Sequence, residues 1–255
     1  MKSAPYLLAT TNWKVVQQMD YRVAVLPWGA TEAHNYHLPY GIDNYQAEHV
    51  AAEAARLAWE QGARIVVLPV IPFGVNTGQL DIKLCMNINP STQLAILRDT
   101  VEVISRAGIQ KLVIFNGHGG NHFKQMIREL SVSHPDVLVC SLNWYQAVDP
   151  AAYFDEPGDH AGELETSAMM HIAPDLVRPL EEAGDGAARR FRVEGLNEAW
   201  ASTPRAWTAV TRDTGVGNPA AASAEKGAAH LQAVAEKISR FFVELDQVDV
   251  DDFYE

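Results

Sequence analysis

Four side chains of types that bind metals lie within twelve positions near the start of the chain. They belong to the segment LPWGATEAHNYHLPYGIDN, residues 26–44, and are Glu32, His34, His37 and Asp43. If residues 32–34 are extended, the side chains of Glu32 and His34 point to the same face, with Cα atoms about 6–7 Å apart. This separation suits side chains that bind one metal ion, or two ions about 3.5–4 Å apart. A mixture of histidines and carboxylates favours Zn, Mn or Fe over Mg or Ca.

A short apolar run precedes this cluster and positions it. Residues 23–26 read VAVL, which is typical of a buried parallel strand, and Pro27 and Gly29 are expected to end that strand. The cluster then follows the carboxyl end of a strand, where open α/β sheets place their active sites. The alternative is a polar loop whose acids, Asp43 above all, cap the next helix.

A glycine-rich turn, FNGHGGN at residues 115–121, follows another apolar run. Its glycines permit tight turns and close backbone approach, and they bring His118 to the same sheet edge as Glu32. We therefore predict that His118 is a further metal ligand. A phosphate-binding turn is the alternative, but the GxGxxG and GxxxxGK[ST] spacings are absent.

A third polar stretch, DHAGELETS, covers residues 159–167. If a helix begins after Gly162, Glu163 and Glu165 lie about 200° apart on it, and only one of them can face the site. His160 precedes the glycine and is placed to act as a proton shuttle or substrate contact, because imidazole titrates near neutral pH.

The rest of the chain alternates apolar runs with amphipathic segments, which predicts an α/β fold with a mostly parallel sheet. The predicted strands are residues 22–26, 64–70, 111–115 and 137–142. The predicted helices are residues 46–60, 91–107, 122–132 and 224–245, the last with an apolar stripe assigned to the core. Residues 174–218 are expected to form loops and short strands over the site. We predict one domain over residues 1–245, followed by an acidic tail at 246–255.

Composition limits the class of partner and the compartment. The net charge of −12 and the absence of any Lys/Arg run argue against a nucleic-acid or membrane surface, so a small-molecule substrate is expected. The two cysteines form no disulfide framework or zinc ribbon, which fits a reducing cytoplasm. With neither a signal peptide nor a long apolar run, the protein is expected to be soluble and unprocessed.

Taken together, these motifs resemble those of the creatininase (creatinine amidohydrolase) family. The shared features are Glu-x-His followed by His-Leu-Pro and Asp, the Asn-Gly-His-Gly-Gly-Asn turn, and the segment His-Ala-Gly-x-x-Glu-Thr-Ser. A late Gly-Val-x-Gly-x-Pro pattern is approximated here by GVGNP at residues 215–219, before ASAEKG at residues 222–227. The resemblance implies a three-layer α/β/α fold and covers nearly the whole chain.

The resemblance also implies a set of functional residues. A site for two divalent ions (Zn, Mn or Fe) would use the side chains of Glu32, His34, Asp43 and His118, with Asp43 bridging. His160 and Glu165 are implied as catalytic residues, and Glu165 also as a possible ligand. The candidates for substrate contacts are Trp144, His37 and Asn121, and packing is the equally favoured alternative for Trp144. A homo-oligomer such as a hexamer is implied as well.

Two departures from the family pattern bear on function. Gly120 stands where creatininase has a glutamate that binds metal, so Glu165, Glu163 or water must replace it. The family sequence Glu-Gln-His-Gly is here Glu-Ala-His-Asn, with Ala33 and Asn35, which suggests a substrate other than creatinine.

The function predicted from these features is metal-dependent hydrolysis. A hydroxide formed from a water between two metals would attack a small, cyclic amide or a related carbonyl compound. The alternatives are hydrolysis of a cyclic keto-inositol such as 3-dehydro-scyllo-inosose, which breaks a C–C bond, and metal-dependent isomerisation of a sugar or cyclitol. A non-catalytic scaffold is a further alternative, but it has no need of the ligand set.

Overall fold

The computed structural model describes residues 4–254 and contains a four-stranded parallel sheet. Its strands are β1 (Val23–Trp28), β2 (Ile65–Val67), β3 (Lys111–Asn116) and β4 (Leu138–Asn143), in the order β2-β1-β3-β4. All three strand pairs are parallel. The predicted α/β class with a mostly parallel sheet is confirmed.

Helices cover both faces of the sheet. They are α1 (Trp13–Val16), α2 (Ile42–Glu60), α3 (Pro90–Arg106), α4 (Lys124–Ser133), α5 (Glu163–Ile172), α6 (Glu194–Asn197), α7 (Trp207–Val210) and α8 (Ala224–Gln247). Helices α2 and α8 pack on one face, while α3 and α4 pack on the other, so the architecture is the predicted three-layer α/β/α. Within residues 4–254, every helix is too short or too polar to span a membrane.

The alternation of side chains along β1 explains the two layers. Val23 and Val25 belong to the core formed with α2 and α8, whereas Ala24 and Leu26 belong to the core formed with α3 and α4. Successive side chains of a strand point to opposite faces, so a strand covered on both sides must be apolar throughout. Full burial of each Val or Leu contributes about 1.5–3 kcal/mol.

Most predicted element ends lie within two residues of the observed ones, and the larger or more informative differences concern β1, β2 and α2. Strand β1 continues through Pro27 to Trp28 because it stays paired in register with β3 as far as Asn116. Strand β2 ends at Val67 rather than at residue 70. Helix α2 begins four residues before its predicted start, so Asp43 lies inside its first turn.

Helix α8 confirms the predicted core helix and corrects the boundary of the acidic tail. Its apolar stripe is buried against α2 and α5, so it offers no large exposed apolar face among residues 4–254 for the predicted oligomer. Asp246, assigned above to the tail, lies in this helix and is buried. One carboxylate oxygen accepts a hydrogen bond from the Arg64 backbone at 3.1 Å, and the other lies 3.8 Å from the guanidinium of Arg22.

The segment predicted to cover the site is mostly irregular. Residues 174–218 contain short 3-10 turns and the helices α6 and α7. The predicted short strands are reduced to isolated bridges, between Ala188 and Thr211 and between Val216 and His160. The second bridge joins this segment to the third polar stretch, so the expectation of loops over the site is confirmed.

Gly227, in the ASAEKG segment, allows α8 to approach α5 closely. A Cβ built at Gly227 would lie 2.0 Å from the backbone oxygen of Ser167, which is part of α5. Such a contact cannot be relieved by a side-chain rotation, because the obstructing atom belongs to the backbone.

We predict that Gly227→Ala destabilises the protein by about 1–3 kcal/mol through overpacking, although alanine ordinarily favours a helix by about 1 kcal/mol over glycine. Urea unfolding followed by circular dichroism measures the change, and Ala229→Ser at the neighbouring exposed position is the control. An unchanged or raised midpoint for Gly227→Ala would contradict the packing argument.

Candidate metal centre

The predicted ligands meet where the strand order of the sheet changes direction. The chain passes from β1 outward to β2 and then returns to β3, on the other side of β1. The loop after β1 carries Glu32 and His34, the first turn of α2 carries Asp43, and the loop after β3 carries His118. A crevice at the carboxyl ends of two such strands is the usual ligand site of an open α/β sheet.

Six side chains bring their donor atoms together in this crevice. The atoms form three overlapping groups, and within each group they lie within 4.8 Å of one another. The groups are Glu32, His34 and His160; Glu32, Asp43 and His118; and His34, Asp43 and Glu165. The structure therefore gathers all five predicted metal ligands and the predicted proton shuttle, and Asp43 is shared by two groups.

His34 and His118 are oriented as metal-binding histidines usually are. Nδ1 of His34 lies 3.0 Å from the backbone oxygen of Glu32, and Nε2 of His118 lies 3.1 Å from that of Val75. A carbonyl can only accept, so these nitrogens carry the hydrogens. The other nitrogens face the carboxylates, Nε2 of His34 at 3.2 Å from Asp43 and Nδ1 of His118 at 2.9 Å from Glu32. We call the ring nitrogen that points away from the centre the outer nitrogen and the other the inner nitrogen. When the outer N–H donates to a backbone carbonyl, it fixes the tautomer and directs the inner nitrogen toward the metal site.

His160 has the same arrangement. Its Nε2 lies 2.8 Å from the backbone oxygen of Ala33, and its Nδ1 lies 3.8 Å from Oε1 of Glu32. Its ring stacks on that of His34, with centroids 4.0 Å apart. Nδ1 of His160 is therefore available at the centre, either to bind a metal or to exchange a proton.

The donor set fits divalent cations. Nε2 of His34 and Oδ2 of Asp43 are buried and make no hydrogen bond with any residue of the described range 4–254. A neutral imidazole nitrogen and a carboxylate oxygen repel each other unless a cation lies between them, and buried polar atoms without partners cost about 1–3 kcal/mol each. Nitrogen and carboxylate donors together suit Zn or Mn.

The electrostatics of the centre favour positive charge. Burial lowers the pKa of His34, but the carboxylates of Asp43, Glu165 and Glu32 outweigh it and raise that pKa to about 9. Burial raises the pKa of Asp43, yet the imidazoles of His34 and His118, each 3.2 Å from a carboxylate oxygen, hold it below its usual value. Burial is the largest cause that raises the pKa of Glu165 to about 7. The cluster thus has an excess of carboxylate that a cation can compensate.

Position 120 has no room for a side chain here, and of the two predicted replacement carboxylates Glu165 lies in the cluster. A Cβ at Gly120 would lie 2.3 Å from the backbone oxygen of Val75 and 2.4 Å from Nε2 of His118. Glu165 reaches the centre from α5 and lies in the group with His34 and Asp43. Glu163 points away: it accepts from the Glu156 backbone at 2.9 Å and pairs with Lys226.

Two predicted substrate contacts, His37 and Trp144, lie in the interior. His37 is fully buried, and its Nε2 lies 2.8 Å from the hydroxyl of Thr166. Trp144 is 1% exposed and belongs to the main apolar core, as in the packing alternative left open above.

The third, Asn121, braces the turn after β3. Its side-chain oxygen accepts from the Val75 backbone at 3.1 Å and from Gln93 at 2.8 Å. Its amide donates to Asn116 at 3.0 Å and to the backbone oxygen of Gly29 at 3.3 Å. Its side chain is thus engaged by the protein and ties the loops after β1 and β3 together.

Several residues that wall the cavity over the centre were not named individually in the sequence analysis, although Asp159 belongs to the third polar stretch and Arg205 and Trp207 belong to the segment expected to cover the site. The cavity has a volume of about 310 Å³. Its further lining includes Tyr145, Gln146, Asp159, Arg205 and Trp207. The ring of Trp207 lies 4.6 Å from that of His160, and Arg205 forms an ion pair with Asp159. Since Arg205 and Trp207 lie about 45 residues beyond His160, only tertiary folding brings them to the site.

The backbone conformation explains why Asn35 can stand where the family pattern has glycine. Asn35 has a φ of 55°, in the left-handed region where glycine and asparagine are the most common residues. Its side-chain oxygen accepts from the backbone of Gly184 at 2.8 Å, and its backbone N–H donates to Thr214 at 2.9 Å. Asn35 therefore anchors the covering segment to the metal-binding loop.

Comparison with known proteins identifies the family of this chain. The family model for creatininase, described as creatinine amidohydrolase, matches residues 9–242. The chain belongs to the creatininase family. The resemblance read from the motifs is thus confirmed, and with it the class of metal-dependent hydrolases that act on C–N bonds.

Several individual proteins are similar to this member of the creatininase family. A Bacteroides fragilis structure, described provisionally as a creatinine amidohydrolase, is 45% identical and covers 98% of this chain and 99% of its own, with a TM-score of 0.93. Creatinine amidohydrolase of Pseudomonas putida is 27% identical over 61% of this chain and 66% of that protein. The mycofactocin precursor peptide peptidase of Mycobacterium tuberculosis H37Rv is 28% identical over 87% of this chain and 86% of that protein.

Creatininase structures with lower identity share the fold. A zinc form and a manganese form are 24% and 23% identical, each with a TM-score of 0.77, and each covers 97% of this chain and all of its own. At this identity the likeness supports the architecture and leaves the substrate open.

We predict that Asn121→Ala lowers the free energy of unfolding by about 2–4 kcal/mol, because it leaves several buried groups without partners at about 1–3 kcal/mol each. Urea unfolding of the purified protein measures this loss, with the exposed neighbour Lys124→Ala as control. If the Asn121 variant kept full stability and lost only substrate affinity, the original assignment as a substrate contact would hold instead.

Proposed function

We propose that this protein is a binuclear metal hydrolase that cleaves a small, cyclic amide or a related carbonyl compound. The observation that carries the proposal is the common orientation of His34, His118 and His160. Each has its outer nitrogen on a backbone carbonyl and its inner nitrogen toward the carboxylates. A packing role alone does not require three imidazoles to be aimed at one point. The zinc and manganese forms of creatininase support either metal.

The candidate ligands form two groups that share Asp43, one group for each ion. Glu32, Asp43 and His118 would hold one, and His34, Asp43 and Glu165 would hold the other, with Asp43 common to both. Glu165 then takes the part of the family glutamate that position 120 lacks. Divalent ions held here would supply Lewis acidity, which polarises a carbonyl group and acidifies water.

The protein's own proton-transfer group is His160. Its Nδ1 faces the centre while Nε2 is held by the backbone of Ala33. It can accept a proton from the attacking water and return it to the leaving nitrogen or carbon, a step that general acid–base catalysis typically speeds by about 10²–10⁴-fold. Trp207 lies against the ring and limits its movement.

A second candidate is hydrolysis of a cyclic keto-inositol. The cavity wall favours it, because Asp159, Arg205 and Gln146 offer donors and acceptors to ring hydroxyls while Trp207 offers an apolar face. The same centre would polarise the ketone, and a C–C bond would break in place of a C–N bond.

The proposal is tested by metal analysis followed by a substrate screen. Protein purified without chelator should contain about two Zn or Mn per chain by inductively coupled plasma mass spectrometry. Cyclic amides, formamides, keto-inositols and short peptides are then screened by mass spectrometry. Ring opening of a cyclic substrate gives one product heavier by one water, and cleavage of a formamide or peptide gives two products whose masses add up to substrate plus water. Either result supports hydrolysis, whereas a product of equal mass supports the isomerase alternative. A protein that neither contains nor takes up metal would overturn the proposal.

We predict that Glu165→Gln lowers the metal content from about two ions to about one per chain, since it weakens only the group with His34 and Asp43. Glu163→Gln, two residues away in the same helix, is the matched control and should keep both ions. Mass spectrometry of the metals gives both values. Equal metal content in the two variants would remove Glu165 from the ligand set.

We predict that His160→Ala keeps its metal and loses turnover by about 10²-fold or more, because it removes the proton-transfer group and leaves both ligand groups with Asp43 intact. Steady-state kinetics on the substrate found in the screen measure this, with the remote His134→Ala as control. Loss of an ion from the variant would show that His160 is a ligand, and wild-type turnover would remove it from the mechanism.

A further inference from the structure

The two oxygens of Glu32 have different partners. Oε1 faces the centre, 2.9 Å from Nδ1 of His118 and 3.8 Å from Nε2 of His34. Oε2 faces away and accepts a hydrogen bond from the side-chain amide of Gln79. Glu32 and Gln79 are both 1% exposed. The amide of Gln79 therefore determines which oxygen of Glu32 is presented to the centre.

Gln79 is in turn oriented by Cys85. The Cys85 sulfur accepts a hydrogen bond from the backbone N–H of Ala33 at 3.2 Å. Its own hydrogen then points to the side-chain oxygen of Gln79, also at 3.2 Å. This contact leaves the amide nitrogen of Gln79 toward Glu32. If the amide rotated by half a turn, its oxygen would face the carboxylate, and two acceptors would oppose each other.

The backbone holds Cys85 in this place at some cost. Leu84, immediately before it, has a φ of 65° and a side chain that is 73% exposed. A bulky residue is strained in the left-handed region and persists there only where the surroundings impose it. Met86, the residue after Cys85, donates its backbone N–H to the backbone oxygen of Thr31 at 2.8 Å. Thr31 directly precedes Glu32, so this bond holds the segment of Cys85 beside the metal-binding loop.

We propose that Gln79 and Cys85 are positioning residues that set the metal affinity of the centre through Glu32. The inference rests on the proposed metal site. Hydrogen-bond partners of ligands typically account for about 10–100-fold in metal affinity. The side-chain hydrogen bond that Cys85 donates goes to Gln79, so its effect on Glu32 is expected to pass through Gln79, and the two residues should not act additively.

The test measures Co²⁺ affinity by competition with a chromophoric chelator, together with the visible spectrum of bound Co²⁺. The variants are Gln79→Met, Cys85→Ala, Cys85→Ser and the double variant Gln79→Met/Cys85→Ala. The controls are Cys140→Ala, which removes the other thiol at a distance from the site, and Gln17→Met on the surface. Urea unfolding of each protein separates positioning from general stability.

We expect Gln79→Met to weaken Co²⁺ binding by about 10–100-fold and to shift the spectrum, with little change in the unfolding midpoint. Cys85→Ala should weaken binding in the same direction, and Cys85→Ser should recover part of the loss because a hydroxyl also donates. The double variant should bind no more weakly than Gln79→Met alone. Both controls should bind as the wild type does.

Three results would overturn the inference while the metal site stood: wild-type affinity and spectrum in Gln79→Met, additive losses in the double variant, or losses that follow the unfolding midpoint. A wild-type protein that binds no Co²⁺, Zn²⁺ or Mn²⁺ would overturn the proposed function itself.

Discussion

Compensation of buried charge at the sheet edge is the constraint on which the rest of this structure depends. Glu32 and Asp43 are each about 1% exposed, and the imidazoles of His34 and His118 beside them are almost as fully buried. Unpaired charges in such surroundings cost several kcal/mol. Each carboxylate therefore lies within about 3.2 Å of an imidazole nitrogen, and the arrangement is suited to cations that neutralise the remaining acid.

Holding these groups at one point requires three loops to be placed accurately. The outer nitrogens of the histidines are anchored on backbone oxygens of Glu32, Ala33 and Val75. Asn121 joins the loop of Val75 to the turn after β3, and it reaches the backbone at the end of β1. The groups that orient the histidines and brace the loops are thus hydrogen-bonded within the protein, which keeps the donor atoms in place before any substrate arrives. Nε2 of His34 and Oδ2 of Asp43 have no hydrogen-bond partner among residues 4–254.

The backbone conformation accounts for the two departures from the family pattern, Gly120 and Asn35. At position 120 the chain passes so close to Val75 and His118 that a side chain has no room, and Glu165 approaches the centre from α5 on another side. Asn35 occupies a left-handed conformation and fastens residues 184 and 214 to the metal-binding loop. That fastening is part of what places Arg205 and Trp207 over the cavity.

The sequence by itself determined the α/β class, the core role of α8 and the position of His118 and Glu32 at one edge. These follow from local rules, because apolar periodicity and glycine turns act over a few residues. Tertiary structure alone decided that β1 continues through Pro27, that Asp246 is buried, and that His37, Trp144 and Asn121 lie inside rather than in the cavity. It also chose Glu165 over Glu163 and brought in Gln79, Cys85, Arg205 and Trp207. Such choices depend on which distant segments come within about 4 Å of one another, and no short stretch of sequence encodes that distance.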